Sequence, residues 1–199
     1  MSNEMTRWDD QQGFSLMEVL ISLSVFTIVL FAVYTTFTAS HRTFARGEDK
    51  IEVQQTSRVA MGMAASEIRT AGYDPSNPPV IPSLASPTAI QVANANTLTF
   101  IADVDGNNVT DQVTYRLQGT QLIRDLASWN GATFPAPAPE QLADGVTALT
   151  FAYFDSSNNP MATLANIRRI TIGLTVQETG VGGQQSLPLT MDVRLRNVQ

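Results

Sequence analysis

The chain has 199 residues, a formal charge of −6, no cysteine and a single histidine, His41. The lack of cysteine excludes disulfides, thiol nucleophiles and cysteine-ligated metals, and one histidine excludes histidine triads and multi-histidine metal sites. The acidic balance disfavours a general nucleic-acid-binding surface, which needs clustered Lys and Arg.

A chain of this length divides most naturally into one anchor and one globular domain. Residues 1–13 are polar and stop at Gly13, and residues 14–39 are almost all apolar or small and hydroxyl-bearing. Crossing a bilayer takes about 20 apolar residues, which the segment from Phe14 to Ala39 supplies. A secretory signal has an apolar stretch of only about 7–15 residues ahead of small residues at its cut. Phe37-Thr38-Ala39-Ser40 makes a poor site of that kind. A plain anchor accounts for the apolar run but not for Glu18, because a carboxylate in a membrane helix costs roughly 2.5–3.5 kcal/mol on insertion scales. Nor does it account for a polar leader ending in glycine.

The run Gly13-Phe14-Ser15-Leu16-Met17-Glu18 resembles the site at which type IV prepilins are cut. The resemblance implies cleavage between Gly13 and Phe14 by a membrane prepilin peptidase, then N-methylation of the new Phe14 amine. A residue without Cβ at position 13 lets an enzyme approach the scissile backbone closely. Glu18, then the fifth residue of the mature chain, is expected to register the subunit by pairing with a neighbour's Phe14 ammonium or with an inner-membrane assembly platform. Two opposite charges in hydrocarbon attract strongly, and each is costly alone. The plainer reading of Glu18 is a side chain that snorkels to the interface near the helix start. Positive charge should gather on the cytoplasmic side. Arg7 stands against Glu4, Asp9 and Asp10 in the leader, while Arg42, Arg46 and Lys50 follow the run. Charge bias alone thus places the N-terminus outside. The resemblance implies the opposite orientation, with the C-terminal domain periplasmic.

Residues 40–74 are polar but periodic. Val53, Ser57, Ala60, Ala64, Ile68 and Ala71 recur at spacings of three and four, which predicts one helical face with small side chains against a sheet. Phe44, Ile51, Gln55, Val59 and Met63 form a second stripe, read as a contact with neighbouring subunits. Gly72 suits a left-handed cap and Pro75 a stop, so the helix should end near Arg69–Asp74. The run Ile68-Arg69-Thr70-Ala71-Gly72-Tyr73-Asp74-Pro75 also resembles the end of the first helix in PilW-type minor pilins.

Residues 75–88, with five prolines, read as an extended loop. Strands are predicted at 97–102, 112–117, 121–124, 146–154, 167–177 and 187–196, with a second proline-rich loop over 134–139. One long helix followed by a mainly antiparallel sheet defines an α+β fold with the helix on the sheet. Asp103–Asp111 invites comparison with a calcium loop. Aligning Gly106 as the sixth residue of such a loop puts Ile101 first and Gln112 last, and neither can serve. A hairpin turn is expected there instead.

The expected organisation is a leader at 1–13, a transmembrane or filament-core helix at 14–39, an amphipathic helix at 40–74 and a periplasmic β-rich domain at 75–199. The function implied is a minor pilin in the initiation or tip complex of a type IV pilus. Its partners would be other minor and major pilins, the prepilin peptidase, the assembly platform and, before assembly, the inner membrane. A J-type minor pseudopilin of a type II secretion system is the alternative. A ligand- or DNA-binding subunit is a more distant one, no nucleic acid being expected. No catalytic residue, metal or cofactor is expected.

Overall fold

The computed structural model describes residues 13–83, 88–180 and 183–198, the backbone alone at 45–52, 178–180, 183 and 185. The expected leader, apart from Gly13, lies outside these residues. The chain forms two compact units, Met1–Ala45 and Arg46–Gln199. Helix α1 (Leu16–Thr70) gives its first part to one and its last part to the other.

In the first unit Leu16–Phe44 is a 29-residue span long and apolar enough to cross a membrane. At 1.5 Å per residue it measures about 43 Å, more than the ~30 Å hydrocarbon core of a bilayer. Its hydroxyls do not break the apolar character. Ser24 donates to the Leu20 carbonyl, Thr27 to Leu23, Thr36 to Ala32 and Thr38 to Tyr34, at 2.7–3.0 Å. Each of these four hydroxyls is satisfied inside its own helix, as hydrocarbon requires.

The second unit holds the end of α1 and two antiparallel sheets. The first sheet is a meander of β1 (Ile90–Ala93), β2 (Thr97–Ala102), β3 (Asp111–Gln118), β4 (Gln121–Ser128) and β5 (Ala138–Ala143). The second joins β6 (Val146–Phe154), β7 (Arg169–Gly180) and β8 (Gly183–Arg194) in order. The expected antiparallel sheet is therefore split in two. β1 and β5 were not foreseen, and β5 starts inside the proline-rich stretch expected as a loop. Both are edge strands, where Pro139 deletes a ladder donor at little cost and alternation is weak.

Alternation does decide which faces meet. In β7, Ile170, Ile172, Leu174 and Val176 are buried while the residues between them are partly exposed. In β6 a bulge between Val146 and Ala148 resets the phase, so Val146 points inward together with Leu149 and Phe151. These side chains share one core with Leu98, Phe100, Val113 and Tyr115 of the first sheet and with the last turns of α1. The helix stripe read from spacing faces this core. Ser57, Ala60, Ala64, Ile68 and Ala71 are buried and Val53 is half-buried, joined by Met61 and Ala65. Of the second stripe, Phe44, Gln55 and Val59 are exposed and Met63 is intermediate, while the side chain of Ile51 lies outside the described residues.

Ser57 is 0% exposed, and among the described residues its hydroxyl lacks a hydrogen-bond partner. A buried unsatisfied hydroxyl destabilises the fold, so Ser57→Ala should raise the unfolding free energy by about 1 kcal/mol. Thermal melting of the two proteins side by side checks this. A lower melting temperature for the variant would mean that the hydroxyl has a partner.

α1 ends where capping chemistry predicts. Gly72 has φ +87°, and its amide donates to the Ile101 carbonyl at 2.9 Å. The segment after β8 returns to this end. Asn197 Nδ2 donates to the Thr70 carbonyl at 3.2 Å, and the Arg196 amide donates to Arg69 at 3.4 Å.

Candidate processing and assembly site

The three residues singled out from sequence lie at the start of α1. Ser15 caps the helix: its carbonyl accepts from the Glu18 and Val19 amides at 3.0 and 3.1 Å, and its hydroxyl accepts from the Met17 amide at 3.2 Å. Glu18 lies in the first turn, where its charge complements the positive end of the helix dipole. Ser15 and Glu18 thus have the S-x-x-E spacing of a capping box, a signal present in the sequence that the reading of Glu18 overlooked. Phe14, 81% exposed, and Glu18 share a shallow apolar face with Val19, Ser22, Leu23 and Phe26.

Gly13 is exposed, its φ lies outside the left-handed region, and a Cβ built there would meet nothing within 4 Å. Folding of the described residues therefore sets no requirement for glycine at this position. His41, the single histidine, stacks edge-on against Phe37 at 4.4 Å, an ordinary neighbour one helical turn away.

The acidic loop between β2 and β3 is a turn, as expected, with Gly106 and Asn108 at φ +76° and +64°. The structure adds that carboxylate oxygens of Asp103, Asp105 and Asp111 lie within 4.8 Å of one another. Each is already engaged. Asp103 accepts the Gly106 and Asn108 amides at 2.7 and 3.1 Å, and Asp105 the Asn107 amide at 3.1 Å. Asp111 accepts the Ser128 hydroxyl at 2.6 Å and the Val104 amide at 3.3 Å. Burial, helped by the charges of Asp105 and Asp103, pushes the Asp111 carboxyl above its usual range despite those bonds.

Asp74, quoted above only as part of the helix stop, organises the proline-rich loop. It accepts from the Thr110 hydroxyl at 2.5 Å, the Ile81 amide at 2.8 Å and the Ser76 amide at 3.1 Å. Burial alone would raise its pKa, but these donors together hold the carboxyl below the ordinary 3.8. A depressed carboxyl contributes stability that is complete above the unfolded-state value of about 3.9 and is lost as pH falls through the folded-state value. Asp74→Asn should therefore cost about 1 kcal/mol at pH 7. The deficit should close as the solution is acidified through that folded-state value. Melting temperatures across that range test it, and a deficit unchanged by acid would remove the carboxylate's role.

A second unforeseen constellation joins α1 to the first sheet. Arg124 on β4 grips Glu67 of α1 through Nη2–Oε1 at 2.8 Å and Nε–Oε2 at 3.0 Å, and its Nη1 reaches Glu140 at 3.2 Å. The Tyr115 hydroxyl donates to the same Glu67 carboxylate at 2.7 Å. Burial, then the Glu67 charge, pushes the Tyr115 phenol far up, so it remains a donor at any physiological pH.

Residues 8–34 match the family model of the prokaryotic N-terminal methylation motif. Among solved structures the fold is similar to that of a type IV-like pilin from Thermus thermophilus, with TM-score 0.52 and 12% identity over 73% of this chain and 98% of that one. No protein of curated function matches the chain. The chain therefore carries a prepilin methylation motif on a type IV pilin-like α+β fold, with a candidate membrane helix at its start. Neither comparison separates a PilW-type subunit from other pilin-like chains.

Proposed function

We propose that this chain is a minor pilin, a structural subunit of the initiation or tip complex of a type IV pilus. In this reading residues 1–13 are removed by prepilin peptidase, Phe14 becomes the methylated N-terminus, and Glu18 registers the subunit with its neighbours. Residues 14–39 hold it in the inner membrane and later enter the filament core. Residues 40–74 carry its contact stripe, and residues 75–199 lie in the periplasm until assembly. The observation that carries the proposal is Gly13: the described fold does not need a glycine there, yet one stands at the cut position of a matched methylation motif. The alternative use of Glu18, as a capping-box acid, explains the helix start but neither Gly13 nor the methylation motif.

Mass spectrometry of the protein from cells with and without prepilin peptidase tests the reading. The expected mature chain begins at methylated Phe14, and that form disappears without the peptidase or when Gly13 is replaced. A chain still beginning at Met1 in peptidase-positive cells would refute the processing step. Glu18→Ala should be cleaved normally yet reach filaments at least about tenfold less often, since an unpaired Phe14 ammonium is costly in hydrocarbon. Incorporation of the unaltered chain into a secretion pseudopilus, and not a pilus, would reassign it to the J-type pseudopilins.

A further inference from the structure

Four of the chain's twelve Lys and Arg residues line one hollow of about 640 Å³ in the second unit. Arg69 comes from the last turn of α1, Arg169 from the start of β7, Arg194 from the end of β8 and Arg196 from the segment beyond; Asn158 and Asp192 complete the wall. The fold brings these arginines together against their mutual repulsion. Arg169 and Arg194 stand directly opposite each other in the β7–β8 ladder, a like-charge pair that destabilises a sheet. The Arg196 amide bonds to the Arg69 carbonyl, so the other two are held side by side as well.

Only Arg169 is neutralised. It lies 4.0 Å over the Phe154 ring, donates to Asn158 and pairs at 3.1 Å with Asp192, which also accepts from the Thr171 hydroxyl. Among the described residues, Arg69, Arg194 and Arg196 have no side-chain partner. Arg116 and Arg124, by contrast, each face a carboxylate. Three arginines without an acidic partner thus line a single hollow of an acidic chain.

We propose that this hollow seats an acidic polypeptide segment, bearing two or more carboxylates, of a neighbouring subunit in the assembled filament. This rests on the pilus-subunit reading above and names a contact which that reading leaves open. Asp192, on the hollow's own wall, displays the binding mode: a carboxylate received by the Arg169 guanidinium and the Thr171 hydroxyl. Guanidinium forks take further carboxylates in the same way. A groove for single-stranded nucleic acid would need exposed aromatic platforms beside the cations, and the Phe154 ring is already covered by Arg169. The net charge of −6 also repels a long polyanion.

The test uses the full chain in detergent micelles, a fluorescent peptide of alternating Glu and Ser, and a labelled short DNA duplex. The peptide should bind, and added salt should weaken it. Arg194→Glu/Arg196→Glu should bind it at least about tenfold less tightly. Arg194 and Arg196 are exposed, so folding should persist. Arg194→Ala, which relieves the like-charge pair, should melt no lower than the unaltered protein. Equal peptide binding by the double variant, or no salt-sensitive binding at all, overturns the proposal. Tighter binding of the duplex than of the peptide overturns it in favour of a nucleic-acid groove. In cells the double variant should be cleaved at Gly13 yet incorporated about tenfold less. Normal incorporation overturns the proposal, whereas absence of cleavage in the unaltered chain is a failure of the assembly reading and takes the filament partner with it.

Discussion

Replacing Arg124 with alanine is expected to lower the unfolding free energy by about 3–5 kcal/mol, because it strands a buried carboxylate. Glu67 is only 11% exposed at its side chain, and its carboxylate takes two contacts from Arg124 and a third from the Tyr115 hydroxyl. Removing the guanidinium leaves the phenol as the remaining donor to a charge that water cannot reach freely. Lysine should not rescue the site, since it offers a point charge where the geometry is a two-pronged fork. Replacing Glu67 and Arg124 together with leucines should cost less than Arg124→Ala alone, because no unpaired charge then remains. Glu140 is the lesser partner: its side chain is 54% exposed, so its loss should cost under about 1 kcal/mol. Urea unfolding followed through Trp129 measures all of these. A cost below about 1 kcal/mol for Arg124→Ala would mean that Glu67 is solvated and that α1 is not tied to the sheet through this pair.

Gly72→Ala is the second large effect, with an expected loss of about 2–4 kcal/mol. Part of the cost is conformational, because φ +87° is a region that L side chains avoid. The larger part is steric: a Cβ there would come within 2.6 Å of the Asn197 backbone oxygen, with Ala89 close behind. Gly106→Ala separates the two terms. That glycine has a similar φ of +76° but open space around it, so its loss should cost only about 1 kcal/mol. If the two variants melt alike, the segment after β8 is not seated against the helix end.

The helix and its buried face were legible because they rest on local period. Ser57, Ala60, Ala64, Ile68 and Ala71 announce a close approach before any partner is known, and Gly72 announces the stop. The strands with β-branched alternation were equally readable, β7 most clearly. The division into two sheets was not, because register and strand order depend on which chain segments meet, and period two is the same in either arrangement. Glu67, Tyr115 and Arg124 lie 48 and 57 residues apart, and nothing in their local surroundings marks them as one group. The arginine hollow was missed for the same reason. Arg194 and Arg196 stand close together in the sequence, but their meeting with Arg69 and Arg169 exists only in the fold. At the processing site, Gly13, Phe14 and Glu18 were visible as a motif, while Ser15 was passed over although its spacing to Glu18 is a capping signature.

The bond from Asn197 to the Thr70 carbonyl spans 127 residues, and β8 pairs along its full length with β7. Contacts of such separation form late, since the intervening chain must first be brought together. The second unit can therefore acquire its cooperative stability only after the stretch through Asn197 has emerged from whatever machinery delivers it. Until then α1 has an open end and the sheets have an unpaired edge, a state prone to aggregation and attractive to holding chaperones. Truncating the residues after β8 should thus leave the end of α1 without the segment that closes it.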